Sequence, residues 1–220
     1  MSDAAREAIL ESVKAWASTA HASKAFEPGE DPVPVSGRVF GPEDVAALVE
    51  SGLDFWLTTG RFNAQFERTL GAYLDNSKLL TVNSGSSANL LALATLTSDT
   101  LKERALKPGD EVLTVAAGFP TTVNPALLYG LTPVFVDVDA NTSNAIPDQL
   151  AAAVTPKTKA IMMAHTLGNP FEIDAVLKLA KEKNLWLVED CCDALGSLYD
   201  GKRAGTFGDI STLSQMALLE

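Results

Sequence analysis

The spacing of apolar positions changes along this chain, and each spacing predicts a different element. Over residues 3–25, apolar side chains recur every three or four positions, which predicts an amphipathic helix. The apolar face of this helix comprises Ile9, Val13, Trp16 and Ala17. The stretch "FEPGEDPVPVSG" that follows is rich in proline, glycine and acids, which favours a linker. We therefore predict a helix and linker over residues 1–34.

Two further helices are predicted before residue 77. The segment "GPEDVAALVESGLDFW" opens with a proline and two acids, which is typical of the first turn of a helix. In "RFNAQFERTLGAYL", large side chains recur at helical spacing and read as core positions: Phe62, Phe66, Leu70 and Tyr73. Residues 35–76 are therefore predicted to form a helical segment that packs on the main domain.

From Lys78 onward, short apolar runs alternate with helical patterns. The strand-like runs are "KLLTV", "EVLTV", "TPVFVDV", "KAIMMA" and "LWLVE". Helices are predicted from about Ser87, from about Thr122, near Pro147 to Val154 and over "EIDAVLKLAKEKN". Because the runs are apolar throughout rather than alternating, they predict a parallel sheet covered on both faces by helices. The chain from 77 to 214 is therefore predicted to be an α/β domain, followed by an atypical tail, "QMALLE", at 215–220.

Charge and hydropathy narrow the classes of partner. The 17 lysines and arginines are outnumbered by 28 acids, which leaves a net charge of −11. Such a charge repels nucleic-acid backbones and anionic lipid surfaces. The amino terminus lacks an apolar signal core, and no run reaches the roughly 20 apolar residues of a membrane span. We expect a cytoplasmic protein that binds neither nucleic acid nor membrane.

The cysteine content bears on metal and redox chemistry. Cys191 and Cys192 are adjacent and are the only cysteines, and the only histidines are His21 and His165. A zinc tetrad would need all four residues, so no metal site is predicted. A disulfide between neighbouring cysteines is strained and disfavoured in a reducing compartment. The favoured interpretation is two small residues that pack at the end of a strand.

The candidate functional residues lie at the ends of the predicted strands, which is where ligands of parallel α/β sheets bind. After "LLTV", the turn "NSGSS" leads directly into a helix, and its N–H groups, hydroxyls and positive helix end suit an anion. Serine capping a helix is also common, so a purely structural role for this turn stays open. Phe119 follows "EVLTV" and is either a core residue or a flat face for a planar ring. His165 follows "KAIMMA", where a hydrogen-bonded structural role is the commoner alternative to catalysis.

The acid Asp190 indicates that the residues at these strand ends could bind a single ligand. A carboxylate at the inner end of a buried strand is costly unless a cation meets it, and the neighbouring strand ends offer no suited lysine or arginine. A protonated pyridine nitrogen would serve as that cation. An anion cradle, an aromatic ring and a carboxylate on three strand ends together describe a pyridoxal phosphate pocket.

Six segments in order also resemble one family: "NSGSSANL", "GFPTTVNP", "VFVDVD", "HTLGNPFEID", "VEDCCDALGS" and "GKRAGTFGDISTLS". They resemble the DegT/StrS family of nucleotide-sugar aminotransferases and dehydrases, over roughly Val35 to Ser214. The resemblance implies the large domain of a type I pyridoxal phosphate-dependent transferase, which is similar to aspartate aminotransferase. In this chain that domain would be incomplete, and the smaller C-terminal domain would be absent.

A narrower resemblance, to the CDP-4-dehydro-6-deoxyhexose 3-dehydrases, is carried by "VPVSGRVFG", "LDFWLTTGRFNAQFE" and "AHTLGNPFEID". Aminotransferase members usually have Glu-Asp-Ala-Ala followed by Gln or His, whereas this chain has Glu-Asp-Cys-Cys-Asp from Glu189. The resemblance therefore implies the N-terminal part of an enzyme that removes the C3 hydroxyl during 3,6-dideoxyhexose synthesis. A sugar aminotransferase of the same family, and a non-catalytic remnant or interaction module, are the alternatives.

The resemblance also implies roles for individual residues and partners. The expected cofactor-binding residues are Gly85, Ser86, Ser87 and Ser214 for the phosphate, Phe119 for stacking, Asp190 for the ring nitrogen and Cys192 for packing near the ring. The Schiff-base lysine or its histidine replacement would lie beyond residue 220, so no catalytic residue is assigned. The expected cofactor is pyridoxamine or pyridoxal phosphate, with an iron–sulfur cluster in the complete protein only. A nucleotide-sugar substrate, a homodimer of the complete protein and a partner reductase are implied as well.

Overall fold

The structure, a computed structural model, describes residues 3–22, 24–33, 39–75 and 78–214. The predicted domain boundaries at 34/35 and 76/77 and the tail at 215–220 lie outside the described residues, so this division stays a prediction. The chain forms two compact units, one up to residue 69 and one from residue 70 onward. Each unit is described by itself below.

The first unit contains α1 (Asp3–Ala20), α2 (Pro42–Asp54) and most of α3 (Arg61–Tyr73). α1 ends at Ala20, five residues earlier than predicted. α2 begins as predicted, because Pro42 opens it and the Asp44 carboxylate accepts the N–H of Gly41 at 2.7 Å. Arg6 joins α1 to α2 by an ion pair with Asp54 at 2.6 Å.

The second unit alternates helices and strands as predicted from residue 111 to residue 190. Its helices are α4 (Gly85–Leu96), α5 (Pro120–Leu128), α6 (Pro147–Ala153) and α7 (Ile173–Lys183). Its strands are β1 (Glu111–Val115), β2 (Thr132–Val136), β3 (Thr158–Ala164), β4 (Trp186–Asp190), β5 (Leu198–Tyr199), β6 (Lys202–Arg203) and β7 (Ile210–Thr212). Short 3₁₀ turns lie at Asp99–Arg104 and Thr166–Gly168. None of the helices in the described ranges combines the length and apolar character that crossing a bilayer requires.

The main sheet has the order β2-β1-β3-β4-β7, and every neighbouring pair is parallel. The predicted parallel sheet is therefore confirmed. The chain moves from β1 to β2 on one side and then crosses to β3 on the other side of β1. The strand order thus changes direction between β1 and β3, and ligands of such sheets bind outside the carboxyl ends of the strands at such a point.

The sheet separates two apolar layers, and alternate strand residues enter opposite layers. One layer joins Leu113, Ile161, Met163 and Leu187 to side chains of α6 and α7. The other joins Val112, Ala160, Met162 and Val188 to side chains of α4 and α5. Since the side-chain period of a strand is two, the consecutive acids Glu189 and Asp190 at the end of β4 point to opposite faces.

The strand predicted at "KLLTV" is wrong, because residues 78–82 form no strand in the structure. A strand exists only when a neighbour pairs with its backbone, and β-propensity alone does not supply one. Leu80 is 80% exposed, so the apolar character of this run is not explained by burial within the described residues. Conversely, β7 was not predicted, since three residues are too few to show a period.

Candidate functional site

Asp190, the last residue of β4, is the most enclosed acid of the predicted site, with 3% of its surface exposed. Its Oδ2 accepts hydrogen bonds from Asn89 Nδ2 at 2.8 Å and from Thr122 Oγ1 at 2.7 Å. Its Oδ1 accepts the backbone N–H of Cys192 at 3.1 Å. Within the described ranges, no lysine, arginine or histidine forms an ion pair with Asp190. Within the described residues, the buried Asp190 carboxyl group is therefore bound by neutral donors alone.

Asn89 ties Asp190 to the surrounding elements. Its side-chain oxygen accepts Thr212 Oγ1 at 2.5 Å, and its Nδ2 also donates to the Thr121 carbonyl at 3.2 Å. α4, α5, β4 and β7 are thus linked through one buried amide. The sequence prediction missed Asn89, Thr122 and Thr212. The available signal was weak: Asn89 is a polar residue on a largely apolar helix, and such residues need a buried partner.

Gly85 and Ser214, two predicted phosphate contacts, are brought together in space. Gly85 opens α4, and a Cβ built on it would lie 2.6 Å from the Cβ of Ser214 and 2.8 Å from its Oγ. Ser84 caps the same helix by accepting the N–H of Ser87 at 3.1 Å. Ser86 is exposed on the first turn. The four predicted phosphate residues therefore surround the amino end of α4, where the helix dipole and unpaired N–H groups favour an anion.

Phe119 and Cys192 are the two remaining residues that were predicted to bind the cofactor. Phe119 precedes α5, and its side chain is 66% exposed, so the interpretation as a core residue is wrong. An exposed ring at a strand end remains available to a planar ligand. Cys192 is half-buried, and burial together with the carboxylates of Asp190 and Asp193 raises the pKa of its thiol to about 12. The thiol is therefore neutral at physiological pH.

Glu189 occupies the opposite face of β4 and is completely buried. Its Oε1 accepts the N–H groups of Phe207 at 2.9 Å and Gly208 at 2.6 Å. Its Oε2 accepts the N–H of Gly205 at 2.9 Å and lies 3.0 Å from His165 Nε2. Burial acts to raise the pKa of Glu189, but these four hydrogen bonds outweigh burial, and the pKa lies below its ordinary value.

The lowered pKa of Glu189 predicts an acid-labile contribution to stability. Its ionised form is favoured by folding, so the contribution is complete above about pH 4.3 and is lost as the pH falls through the lower folded value. In urea unfolding from about pH 7 to about pH 3, the free-energy gap between the protein and Glu189→Gln should be constant near neutrality and should shrink in acid. A gap that stays the same at every pH would contradict this prediction.

A buried cluster of potential metal ligands lies around the same residue. One donor atom each from His165, Glu189 and Cys191 falls within 4.8 Å of the others. The four acceptor positions of the Glu189 carboxylate are, however, already filled by four hydrogen bonds. Burial also raises the pKa of the Cys191 thiol, which disfavours the thiolate that a metal requires. Hydrogen bonding accounts for this cluster, and the expectation of no metal site stays a prediction.

The chain matches solved proteins of the pyridoxal phosphate-dependent aminotransferase fold, and its parallel sheet, flanking helices and buried acid at the carboxyl edge agree with that class. The fold class predicted from the sequence is confirmed. Comparison with protein families is more specific. The chain belongs to the DegT/DnrJ/EryC1/StrS aminotransferase family, whose profile matches residues 40–218.

Individual relatives refine the comparison. The chain is 58% identical over 209 residues to the lipopolysaccharide biosynthesis protein RfbH of Salmonella typhimurium, which covers 95% of this chain and 48% of that protein. It is 51% identical to dTDP-4-dehydro-2,6-dideoxy-D-glucose 3-dehydratase of Saccharopolyspora spinosa, over 96% of this chain and 45% of that enzyme. A solved GDP-4-keto-6-deoxymannose-3-dehydratase with a trapped PLP-glutamate geminal diamine superposes with a TM-score of 0.73 at 34% identity, over 80% of this chain and 45% of that chain. The chain thus spans about half the length of the curated relatives it matches.

Proposed function

We propose that this chain is the N-terminal part of a nucleotide-sugar 3-dehydratase that uses pyridoxamine or pyridoxal phosphate. The proposed reaction removes the C3 hydroxyl of a CDP-linked 4-dehydro-6-deoxyhexose. The 51% identity to a named sugar 3-dehydratase supports the reaction class, and the PLP adduct in a structural neighbour supports the cofactor class. The CDP group rests on the narrower sequence resemblance.

The buried Asp190 carboxylate is the observation that carries this proposal. Its three hydrogen-bond donors in the described residues are neutral, and no described lysine, arginine or histidine forms an ion pair with it. A pyridinium N–H would add both a hydrogen bond and the missing positive charge. When bound, the cofactor supplies an electron sink at the substrate carbon, and this sink depends on a protonated ring nitrogen.

The remaining residues fit the other parts of the same cofactor. The amino end of α4, with Gly85, Ser86 and Ser87, would hold the phosphate together with Ser214. The contact between Gly85 and Ser214 leaves no room for a side chain at residue 85 and places Ser214 beside the amino end of α4. Phe119 would cover one face of the ring, and the neutral Cys192 thiol would pack beside Asp190.

The proposal extends to the source of electrons and to assembly. Replacement of a C3 hydroxyl by hydrogen releases water and consumes two electrons and two protons. We therefore include an iron–sulfur cluster in the complete protein and a partner reductase that supplies the electrons. A homodimer of the complete protein is also part of the proposal. These three elements rest on the sequence resemblance rather than on contacts of the described residues.

A sugar aminotransferase is the second candidate, and it is favoured by the family profile, which is that of an aminotransferase family. The two candidates differ at the position that follows "STLS" and an aromatic residue in family members. The nucleotide sequence downstream of codon 220 distinguishes them. Histidine at that position with later cysteines would support the dehydratase, whereas lysine would support the aminotransferase.

Cofactor binding tests the proposal directly. We expect saturable binding of one pyridoxamine phosphate per chain in a calorimetric titration, with competition by millimolar inorganic phosphate. Pyridoxamine without its phosphate is the matched control, and it should bind at least about tenfold more weakly because the α4 contacts would be lost. Absence of saturable binding would overturn the pocket assignment and favour a non-catalytic interaction module.

A further inference from the structure

The two acids that end β4 serve separate networks on opposite faces of the sheet. Asp190 binds side chains of α4 and α5, whereas Glu189 binds His165 and the backbone of residues 205–208. The loop 205–208 leads into β7, which ends two residues before Ser214. Glu189 is therefore connected through the backbone to both ends of the proposed cofactor pocket.

His165 contributes to this connection in two ways. Its backbone N–H donates to the Asp190 carbonyl at 3.0 Å, and its ring lies 3.0 Å from Glu189 through Nε2. The fully buried ring stacks on Phe171 with centroids 4.3 Å apart and an interplanar angle of 11°. Nδ1 is buried and has no hydrogen-bond partner among the described residues.

The geometry assigns the His165 proton to Nε2. A proton on Nδ1 would bury an N–H donor without an acceptor, and would also leave Nε2 facing the carboxylate with a lone pair. With the proton on Nε2, the ring donates to Glu189, and only a bare acceptor is left unpaired. The ring therefore serves as an oriented donor to Glu189 rather than as a base.

Close backbone packing holds the loop 205–208 against Glu189. A Cβ on Gly208 would lie 2.7 Å from the Leu187 carbonyl oxygen, and a Cβ on Gly205 would lie 2.9 Å from Cys191 Sγ. Asp209 adds two bonds of 2.9 Å to the backbone of Leu187. These contacts hold the loop in one position against β4. Because β7 and Ser214 follow the loop in the chain, the position of the loop determines where they lie.

From these contacts we infer that Glu189 and His165 are positioning residues. They lie on the face of the sheet opposite the Asp190 network and hold in place the backbone that carries Asp190 and Ser214. This inference rests on the proposed function for the identity of the ligand. Neither residue lies on the face of the sheet that carries the Asp190 network. Their effect on a ligand is therefore indirect, through the carboxyl end of β4 and the start of β7.

Glu189→Gln tests this positioning role because it keeps the side-chain size but replaces one acceptor oxygen by an NH₂ group that faces N–H donors. Amide hydrogen exchange over 203–214 should become at least about tenfold faster. The affinity for pyridoxamine phosphate should fall by at least about tenfold. His165→Phe, which retains an aromatic ring over Phe171, should produce smaller changes in the same two quantities, and it serves if Glu189→Gln does not fold.

Thr158→Val is the matched control. Thr158 is buried at the amino end of β3, where its hydroxyl bonds Glu111 at 3.0 Å and the Thr155 N–H at 2.9 Å. The Thr158→Val substitution should lower the melting temperature. It should not accelerate amide exchange over 203–214 or change the cofactor affinity by more than about twofold. Unchanged exchange in both Glu189→Gln and His165→Phe would overturn the inference, as would faster exchange with unchanged affinity. If the unaltered protein binds no pyridoxamine phosphate, the proposed function fails, and the exchange measurement alone decides the positioning role.

Discussion

Asp190→Asn should weaken the binding of pyridoxamine phosphate by roughly 10²-fold or more. Loss of one partner from a buried ion pair costs about 3–5 kcal/mol, because the remaining charge is left without compensation. Here the remaining charge would be the pyridinium of the ligand. The amide would also place an NH₂ group near the donors of Asn89 and Thr122, which now converge on Oδ2. Calorimetric titration of both proteins at one pH and one salt concentration measures the effect.

Glu182→Gln is the control for this substitution. It removes the same unit of charge from an exposed position on α7 and leaves the Asp190 network intact. The affinity of this variant should stay within about twofold of the unaltered protein, since salt screens the interactions of a solvent-exposed charge. Equal affinities of Asp190→Asn and the unaltered protein would remove Asp190 from the pocket. A phosphate-only probe should bind Asp190→Asn normally, which separates loss of the ring contact from loss of folding.

The sequence predicted the residues at this site that lie next to a well-defined strand. Phe119 and Asp190 could be located because β1 and β4 are continuous apolar runs, and the side chains that follow such runs lie at the carboxyl edge of a parallel sheet. The amino end of α4 could be located from its small, hydroxyl-rich turn. These predictions needed only local patterns and one rule of sheet topology.

The partners of these residues could not be predicted, because they depend on pairings between distant segments. Asn89 is one amide in an apolar helix, and nothing local indicates that it bridges Asp190 and Thr212. The back-side role of Glu189 depends on a loop whose backbone N–H groups carry no sequence signal. The error at 78–82 has the same origin, since strand propensity does not specify a pairing partner.

Gly85→Ala should reduce both the stability of the protein and its affinity for phosphate-bearing ligands. The added methyl group would lie 2.6 Å from the Cβ of Ser214, and a separation this short forces either α4 or the end of β7 to move. Overpacking of this kind costs about 1–3 kcal/mol. Because Gly85 and Ser214 are both proposed phosphate contacts, the same displacement should weaken inorganic phosphate binding by roughly tenfold. Urea unfolding and a phosphate titration measure the two effects separately.

Gly52→Ala provides an informative comparison, since Gly52 lies within α2 and a Cβ there would meet no atom within 4 Å. Alanine is the better helix former, so this variant should be more stable by about 0.5–1 kcal/mol and should bind phosphate normally. The same chemical change is thus expected to have opposite signs at two helical glycines. If Gly85→Ala also stabilised the protein, the contact with Ser214 would be wrong. If it destabilised the protein but left phosphate affinity unchanged, the contact would be structural, and the amino end of α4 would no longer be supported as the phosphate site.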